Sequence, residues 1–456
     1  MAFSGGGFGH GSRALVFRLG CIVTLGVVAT AARAGGCPCG TLADEFRAAD
    51  AGLVREWIVQ VPFDSEAARL GHVVVGAGLV LVQSGDGAVH AIRTSGTGGA
   101  AAGTVAWSRA LPAAAGHAWP PTAGARLVFM TSTRDVHALD RDTGAVEWER
   151  PTGALTAAAA VESGGWVYVP LEAGRILRLP SDPSGESAPE RSAAKAAAAA
   201  APDADERDQR PAEPRAPREA LDPVIIDAGG RIAHSPVPAD DGAIWTTDGG
   251  LVSLEPTSSR WIRHRFPDTA ATRPAPAPLL GTPVVRGDGI FVVTADGVLA
   301  RIVLNAPKRP GLRAAWSRSL PDQPDGGPFV AGDTVLVSLG PSGIAAFTAA
   351  AGGERWWSCL AGTVVAVAGG RAWVLDEAGR LTALDLASGM PRGSWPVGCF
   401  TLPVVNTVSE RIVLASPSGL VVSLAPPAPA AAQAPVTAAD APEGAPALAD
   451  PAAMPP

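Results

Sequence analysis

Eight times along this chain a short apolar strand runs into a tight turn, and a second strand follows that ends in a small residue and an aliphatic one. The turns fall at Gly87, Arg134, Gly174, Gly249, Gly297, Ser342, Gly379 and Gly419, about 37 to 48 residues apart except for one step of about 75. A period near 40 with strand-turn-strand content predicts an all-β fold, the eight-bladed β-propeller, with one four-stranded blade per repeat. In the seventh copy Thr363–Val367 reads as an inner strand, Ala372–Leu375 as the second and Arg380–Leu384 as the third, before a last strand at Trp395. Apolar runs of this length, broken by Gly, Asp and Ser, suit strands stacked between neighbouring blades. No helix-length amphipathic period interrupts the repeats.

The end of each repeat carries a sharper signal. Residues 138–148 read Ala-Leu-Asp-Arg-Asp-Thr-Gly-Ala-Val-Glu-Trp. The sixth copy keeps Ala346, Gly352 and Trp356 at the same offsets, and the seventh keeps Ala383, Asp385, Ser388 and Gly389 with Trp395 two residues late. The first copy has Ala91, Gly103 and Trp107 around a Gly/Ala insertion, the fifth retains Trp316, the fourth only Trp261, and the third has lost its Trp. Glycine tolerates turn dihedrals that other residues resist, and an outer-strand Trp can bury a flat face against the next blade. This pattern resembles the PQQ-like propeller repeat over residues 57–424. Trp57, Trp107, Trp148, Trp261, Trp316, Trp356 and Trp395 are expected to dock blade on blade.

Ring closure is also legible. The eighth copy, Leu402 to Leu424, supplies three strands, while an orphan strand from Glu56 to Pro62 precedes the first copy. The N-terminal strand is expected to complete the last blade, leaving no open edge in the ring. Trp57 would then stand where Trp148 and Trp356 stand in theirs.

Other segments lie outside the repeats. Residues 181–222, built of Ala, Pro, Glu, Arg and Asp, have too little apolar surface to offset ordering entropy, and the tail from 425 to 456 is similar; both are predicted to be disordered. Residues 1–34 read as an export signal, with Arg13 and Arg18 before an apolar stretch and Ala32-Arg33-Ala34 as the cleavage site. Residues 35–56 form a lead in which Leu42, Phe46, Ala49 and Leu53 have helical spacing. Export predicts a periplasmic, outer-membrane-associated or extracellular chain.

Five cysteines are present. Cys21 leaves with the signal. Ala34-Gly35-Gly36-Cys37 has the small residues of a lipidation site, with Ala where Leu is usual three residues before the Cys, so Cys37 is a lipid-anchor candidate. The Cys37-Pro-Cys39 pair, without a nearby His or second pair, is weak evidence for metal or redox work. Cys359 and Cys399 occupy matching junctions on adjacent blades. An oxidising compartment permits them to pair, whereas the separation of adjacent blades works against it unless the junction lies near the axis.

The histidines are the remaining chemical candidates. His72, His117 and His234 begin inner strands, where other blades have Thr156, Thr282, Thr363 and Thr401. They could ring the channel mouth, but blades one, two and four are not contiguous, so capping of local backbone is the plainer reading. His90 and His137 match each other on third strands, where surface placement is expected. A net charge of −7 without a basic run argues against a nucleic-acid surface.

The resemblance extends to quinone-dependent dehydrogenases, and it implies for them pyrroloquinoline quinone and Ca²⁺ held by Glu, Asn and Asp. This chain has only two Asn, Asn305 and Asn406, in no recognisable ligand motif, and no consecutive cysteines. No nucleophile elbow or distinctive acidic pair appears either. No catalytic, cofactor or metal residue is therefore assigned. The exported propeller without cofactor ligands looks like the non-catalytic, BamB-like branch, which implies a monomeric scaffold that docks other envelope proteins, outer-membrane protein assembly being one instance. The alternatives are a quinone-dependent enzyme and a propeller binding a small ligand or carbohydrate at the channel mouth, where Trp119 is the one aromatic candidate.

Overall fold

A blade is stable only when both of its faces are covered, and the apolar clusters of this chain fall between blades. In the computed structural model, residues 41–427 are described except 64–67, 77, 97–100, 112–117, 183–222, 240–241, 249, 257–260, 267–276 and 305–311. For 46, 253–256, 261–266 and 304 the backbone alone is described. Seven antiparallel sheets of four consecutive strands and one of three make eight blades. Eight buried clusters fill the eight joints: one packs Val128 and Met130 of blade two on Leu81 and Ala91 of blade one, and another packs Val413 and Val421 of blade eight on Val80 and Val82 of blade one. The ring is thus a closed eight-bladed propeller.

The last blade is made by both ends of the ring. Its outer strand is Val54–Gln60, paired with Leu420–Ala425, which pairs in turn with Ile412–Ala415. The innermost strand expected in the eighth copy shrinks to a single bridge between Leu402 and Ala415. Glu56 fastens this closure, accepting from Arg411 Nε at 2.6 Å, from Arg411 Nη2 at 3.0 Å and from Ser423 Oγ at 2.9 Å. Before it, a helix of Glu45–Asp50 is flanked by Leu42 and Leu53, both buried where blades seven and eight meet. Ala48 is buried there and Ala49 is exposed.

The repeat motif explains itself physically. Asp140 Oδ1 accepts from the backbone N–H of Asp142 and Thr143 and from the Thr143 hydroxyl; Asp385 does the same for Ala387 and Ser388. Such side-chain bonds stand in for a backbone turn. The glycine that follows, Gly144 or Gly389, adopts φ 68° or 71°, where a Cβ is strained. It is also where the preceding blade's tryptophan lies: a Cβ on Gly144 would sit 2.5 Å from Trp107, one on Gly352 2.6 Å from Trp316, and one on Gly103 2.4 Å from Trp57. The indole N–H completes the joint, donating to the carbonyl of Arg141 from Trp107 at 2.8 Å and to that of Ala349 from Trp316 at 3.1 Å. Trp148 donates to Ser181 O at 3.0 Å in blade three.

A bulge aims these tryptophans. In blades one, two, five, six and eight the ladder between third and outer strands slips by one residue immediately before the Trp, at Ala106, Glu147, Ala315, Arg355 and Glu56. A β-bulge re-aims the side chain beside it. In blade seven the same bulge precedes Gly393, so Trp395 misses the docking position and stacks on Trp373 of its own blade, ring centroids 5.8 Å apart. Trp261 stands opposite Pro256 at the start of its strand, with no bulge, so its register differs from that of the others. In blade three the third strand, Arg175–Pro180, is followed by an outer strand at Val224–Asp227.

Candidate functional site

Inner strands of a propeller line its axis, and among the described residues two open cavities lie against them. The larger, about 750 Å³, is walled by blades four to eight, including Thr282, Asp325, Ser338, Val405 and Val408. The second, about 510 Å³, is walled by Gly332, Val367, Gly370, Asn406 and Glu410 among others. Arg286, Phe329, Thr407 and Val408 line both, so they form the partition. Arg286, at the end of blade five's inner strand, donates from Nη2 to the carbonyl of Thr407 in blade eight. This contact joins non-neighbouring blades across the axis. Val405 and Val408 are half exposed, at 49% and 53%, which leaves apolar surface on the loop that forms the partition.

That loop is held by Asn406. Its side-chain N–H donates to Arg411 O at 2.7 Å and Ser409 Oγ at 3.0 Å, while its Oδ1 accepts from Val408 N and Ser409 N. Every polar capacity of the amide is committed to the loop, so none is left for a ligand. Among the described residues no group of three His, Cys, Asp or Glu side chains converges in a geometry for a metal. Asn305 lies outside the described residues. The described residues at the axis therefore do not fit a Ca²⁺–quinone pair, and no chemical step is derived through one.

The channel-mouth candidates serve the joints between blades. His72 Nε2 lies 3.3 Å from Ala118 O in blade two, and His234 bonds the backbone of Leu279 in blade five. Burial pushes both imidazoles below the ordinary histidine value, partly opposed by these bonds. Trp119 Nε1 donates to Thr156 Oγ1 at 2.9 Å, again across a joint. These groups are not brought together as a ligand set. His117 lies outside the described residues, as do Cys37 and Cys39.

Two expectations are corrected. His90 and His137 are not at the surface: they are 2% and 3% exposed, because third strands are covered by blades on both faces. His90 Nδ1 meets Ser108 Oγ at 2.8 Å and is pushed down by burial, and His137 Nδ1 lies 3.6 Å from Glu149. Cys359 and Cys399 are both exposed and are not joined to one another. Each follows the outer strand of its own blade, and a disulfide tolerates only a short Cα separation.

A family model described as outer membrane protein assembly factor BamB matches residues 54–200 and 309–426. No protein of curated function matches the sequence. Among solved structures, BamB from Moraxella catarrhalis superimposes with a TM-score of 0.55 at 16% identity, covering 82% of this chain and 97% of that one. The C-terminal WD40 domain of Sif2 gives 0.54 at 9% identity, covering 82% and 99%, and the computationally designed Ika8 protein gives 0.54 at 9%, covering 81% and 99%. These structural likenesses bear on the fold alone. The family match, which spans more than half of the residues and includes both ends of the ring, carries the assignment: the chain belongs to the BamB-like family of PQQ-repeat β-propellers.

Proposed function

We propose that the chain is a non-catalytic scaffold of the bacterial cell envelope, which docks other envelope proteins and contributes to outer-membrane protein assembly. The observation that carries this reading is the match of the BamB family model to the repeats on both sides of the ring closure. The commitment of Asn406 to its own loop supports it, as do the histidines spent on joints between blades. A closed propeller offers loops of many blades on each face, which suits docking. Residues 1–34 would direct export, and Cys37 would offer a lipid anchor.

The larger axial cavity favours a second reading, a small ligand, since about 750 Å³ falls within the range of ligand pockets. The enzyme alternative is tested by adding pyrroloquinoline quinone and Ca²⁺ to the purified protein and following dye-linked alcohol oxidation together with binding heat. The scaffold reading expects neither turnover nor a saturable heat. Saturable binding with turnover overturns it.

A further inference from the structure

The larger axial cavity carries opposite charges at its two ends, and among the described residues neither has a charged partner. Arg286 ends the inner strand Leu279–Arg286 of blade five; its Nη2 donates to Thr407 O, and its remaining nitrogens have no partner among the described residues. The nearby Asp288 is taken by Arg301 at 2.6 Å, and Glu410 lines the second cavity. Asp325 stands at the other end, where its N–H donates to Ser338 O ahead of blade six's inner strand Phe329–Ala331, and its carboxylate has no partner among the described residues. A Cβ on Gly281 would come within 2.7 Å of Gly327 N, which sets the two inner strands side by side, with Asp325 to one side of the contact and Arg286 to the other. At about 3.3 Å per residue, less what the bulge after Leu280 takes up, the two charges lie on the order of 15 Å apart. Between them the wall is apolar at Val284, Phe329, Val405 and Val408 and carries the hydroxyls of Thr282 and Thr363. At Gly326 it is bare backbone, where a Cβ would meet nothing within 4 Å.

We propose that this cavity binds a short zwitterionic peptide of apolar residues, extended along the axis, with its carboxylate on Arg286 and its ammonium on Asp325. The proposal rests on the small-ligand reading and gives that ligand a chemical class. A guanidinium is planar and forked, which matches a carboxylate in two parallel bonds. Only a ligand with opposite charges at its two ends answers both groups; an anion without an amine would leave Asp325 unpaired and would be repelled by it. The separation sets the length, because an extended chain of about four residues spans that distance and a single amino acid does not. The wall suits the body of such a ligand: apolar side chains cover the exposed faces of Val405 and Val408, threonine hydroxyls can meet peptide N–H and C=O groups, and the bare backbone at Gly326 leaves room for another backbone.

The test is titration calorimetry of the purified full chain with the tetrapeptide alanyl-valyl-valyl-alanine, its N-acetylated, C-amidated and doubly blocked forms, and hexanoate and hexylamine as singly charged probes. The free peptide should bind saturably, and blocking either end should weaken it about tenfold, as ~1.4 kcal/mol would. Asp325→Asn should weaken the free peptide by the same factor and leave the acetylated one no weaker, and Arg286→Gln should do the same for the amidated form. The blocked peptides act on the unaltered protein, so the result stands even if Arg286→Gln disturbs the loop at Thr407. Val408→Trp, which fills the cavity, should abolish binding. A doubly blocked peptide that binds as tightly as the free one, losses that the matching variants fail to absorb, or binding that survives Val408→Trp overturns the proposal. If the singly charged probes bind as well as the peptide and are lost in Val408→Trp, the peptide is wrong and the small-ligand reading stands; if no probe gives a saturable heat, both fall.

Discussion

The indole of Trp356 in blade six rests on Gly389 in blade seven so closely that a Cβ there would come within 2.4 Å of the ring, and its Nε1 donates to Leu386 O at 2.9 Å. Backbone shape and side-chain packing meet at this glycine, because φ is 71° at the point of contact. Gly389→Ala should therefore destabilise by about 3 kcal/mol, from left-handed strain and overpacking together. Gly370→Ala in the same blade has φ 70° with nothing within 4 Å of the new Cβ, and should cost only about 1–2 kcal/mol. Urea unfolding of the two variants measures the difference, and equal losses would contradict the docking role of Trp356.

Ring closure uses the same contact with one bond missing. Trp57 lies on Gly103 as Trp356 lies on Gly389, yet its buried Nε1 has no partner among the described residues. Trp356→Phe leaves Leu386 O without its donor and should cost about 1–2 kcal/mol beyond the lost ring area, whereas Trp57→Phe removes an unsatisfied donor and should cost under about 1 kcal/mol beyond the same loss of area. The comparison is again read from urea unfolding.

Much of this architecture was legible before any coordinates. Blade count, closure by the N-terminal strand and the Asp-x-x-Thr-Gly turn all follow from local spacing, because each blade repeats the same local demands. What was illegible depends on register or on distant blades. The two-residue offset of Trp395 shows in the sequence, but that it turns the ring onto Trp373 depends on where the bulge falls, which leaves no mark there. His90 and His137 looked external because a polar side chain within a strand suggests a wet face, but third strands have none. The bond from Arg286 to Thr407 joins blades five and eight, and no repeat pattern predicts a contact across the axis.

Acid should loosen the packing around the buried histidines. His72, His90 and His234 are all held below the ordinary value of 6.5 by burial, so the unfolded chain binds protons more readily than the folded one. Their stabilising contribution is present above about pH 6.5 and lost as pH falls below it. The melting temperature should drop between pH 7.5 and 5, and the combined variant His72→Gln with His234→Gln should flatten that drop. An unchanged slope would show that these two imidazoles do not titrate with folding.

The turn in blade seven responds in a lower window. The Arg392 guanidinium, followed by the Ser388 hydroxyl and N–H, holds the Asp385 carboxyl down at about 2. A depressed carboxyl contributes order above its unfolded value near 3.8, and that order is lost as pH falls through about 2. Exchange of the Gly389 amide, which donates to Asp385 O at 2.8 Å, should accelerate relative to other turns over that interval. Asp385→Asn should remove the pH dependence.

The most direct test of the scaffold account is recovery of the tagged full-length protein from cross-linked envelopes, with mass spectrometry of its N-terminus and its companions. The account predicts a reproducible companion from the outer-membrane assembly machinery and an N-terminus processed near residue 35 or a diacylglyceryl-modified Cys37. The lack of any reproducible companion, together with saturable binding of a small molecule at the axis, would contradict it.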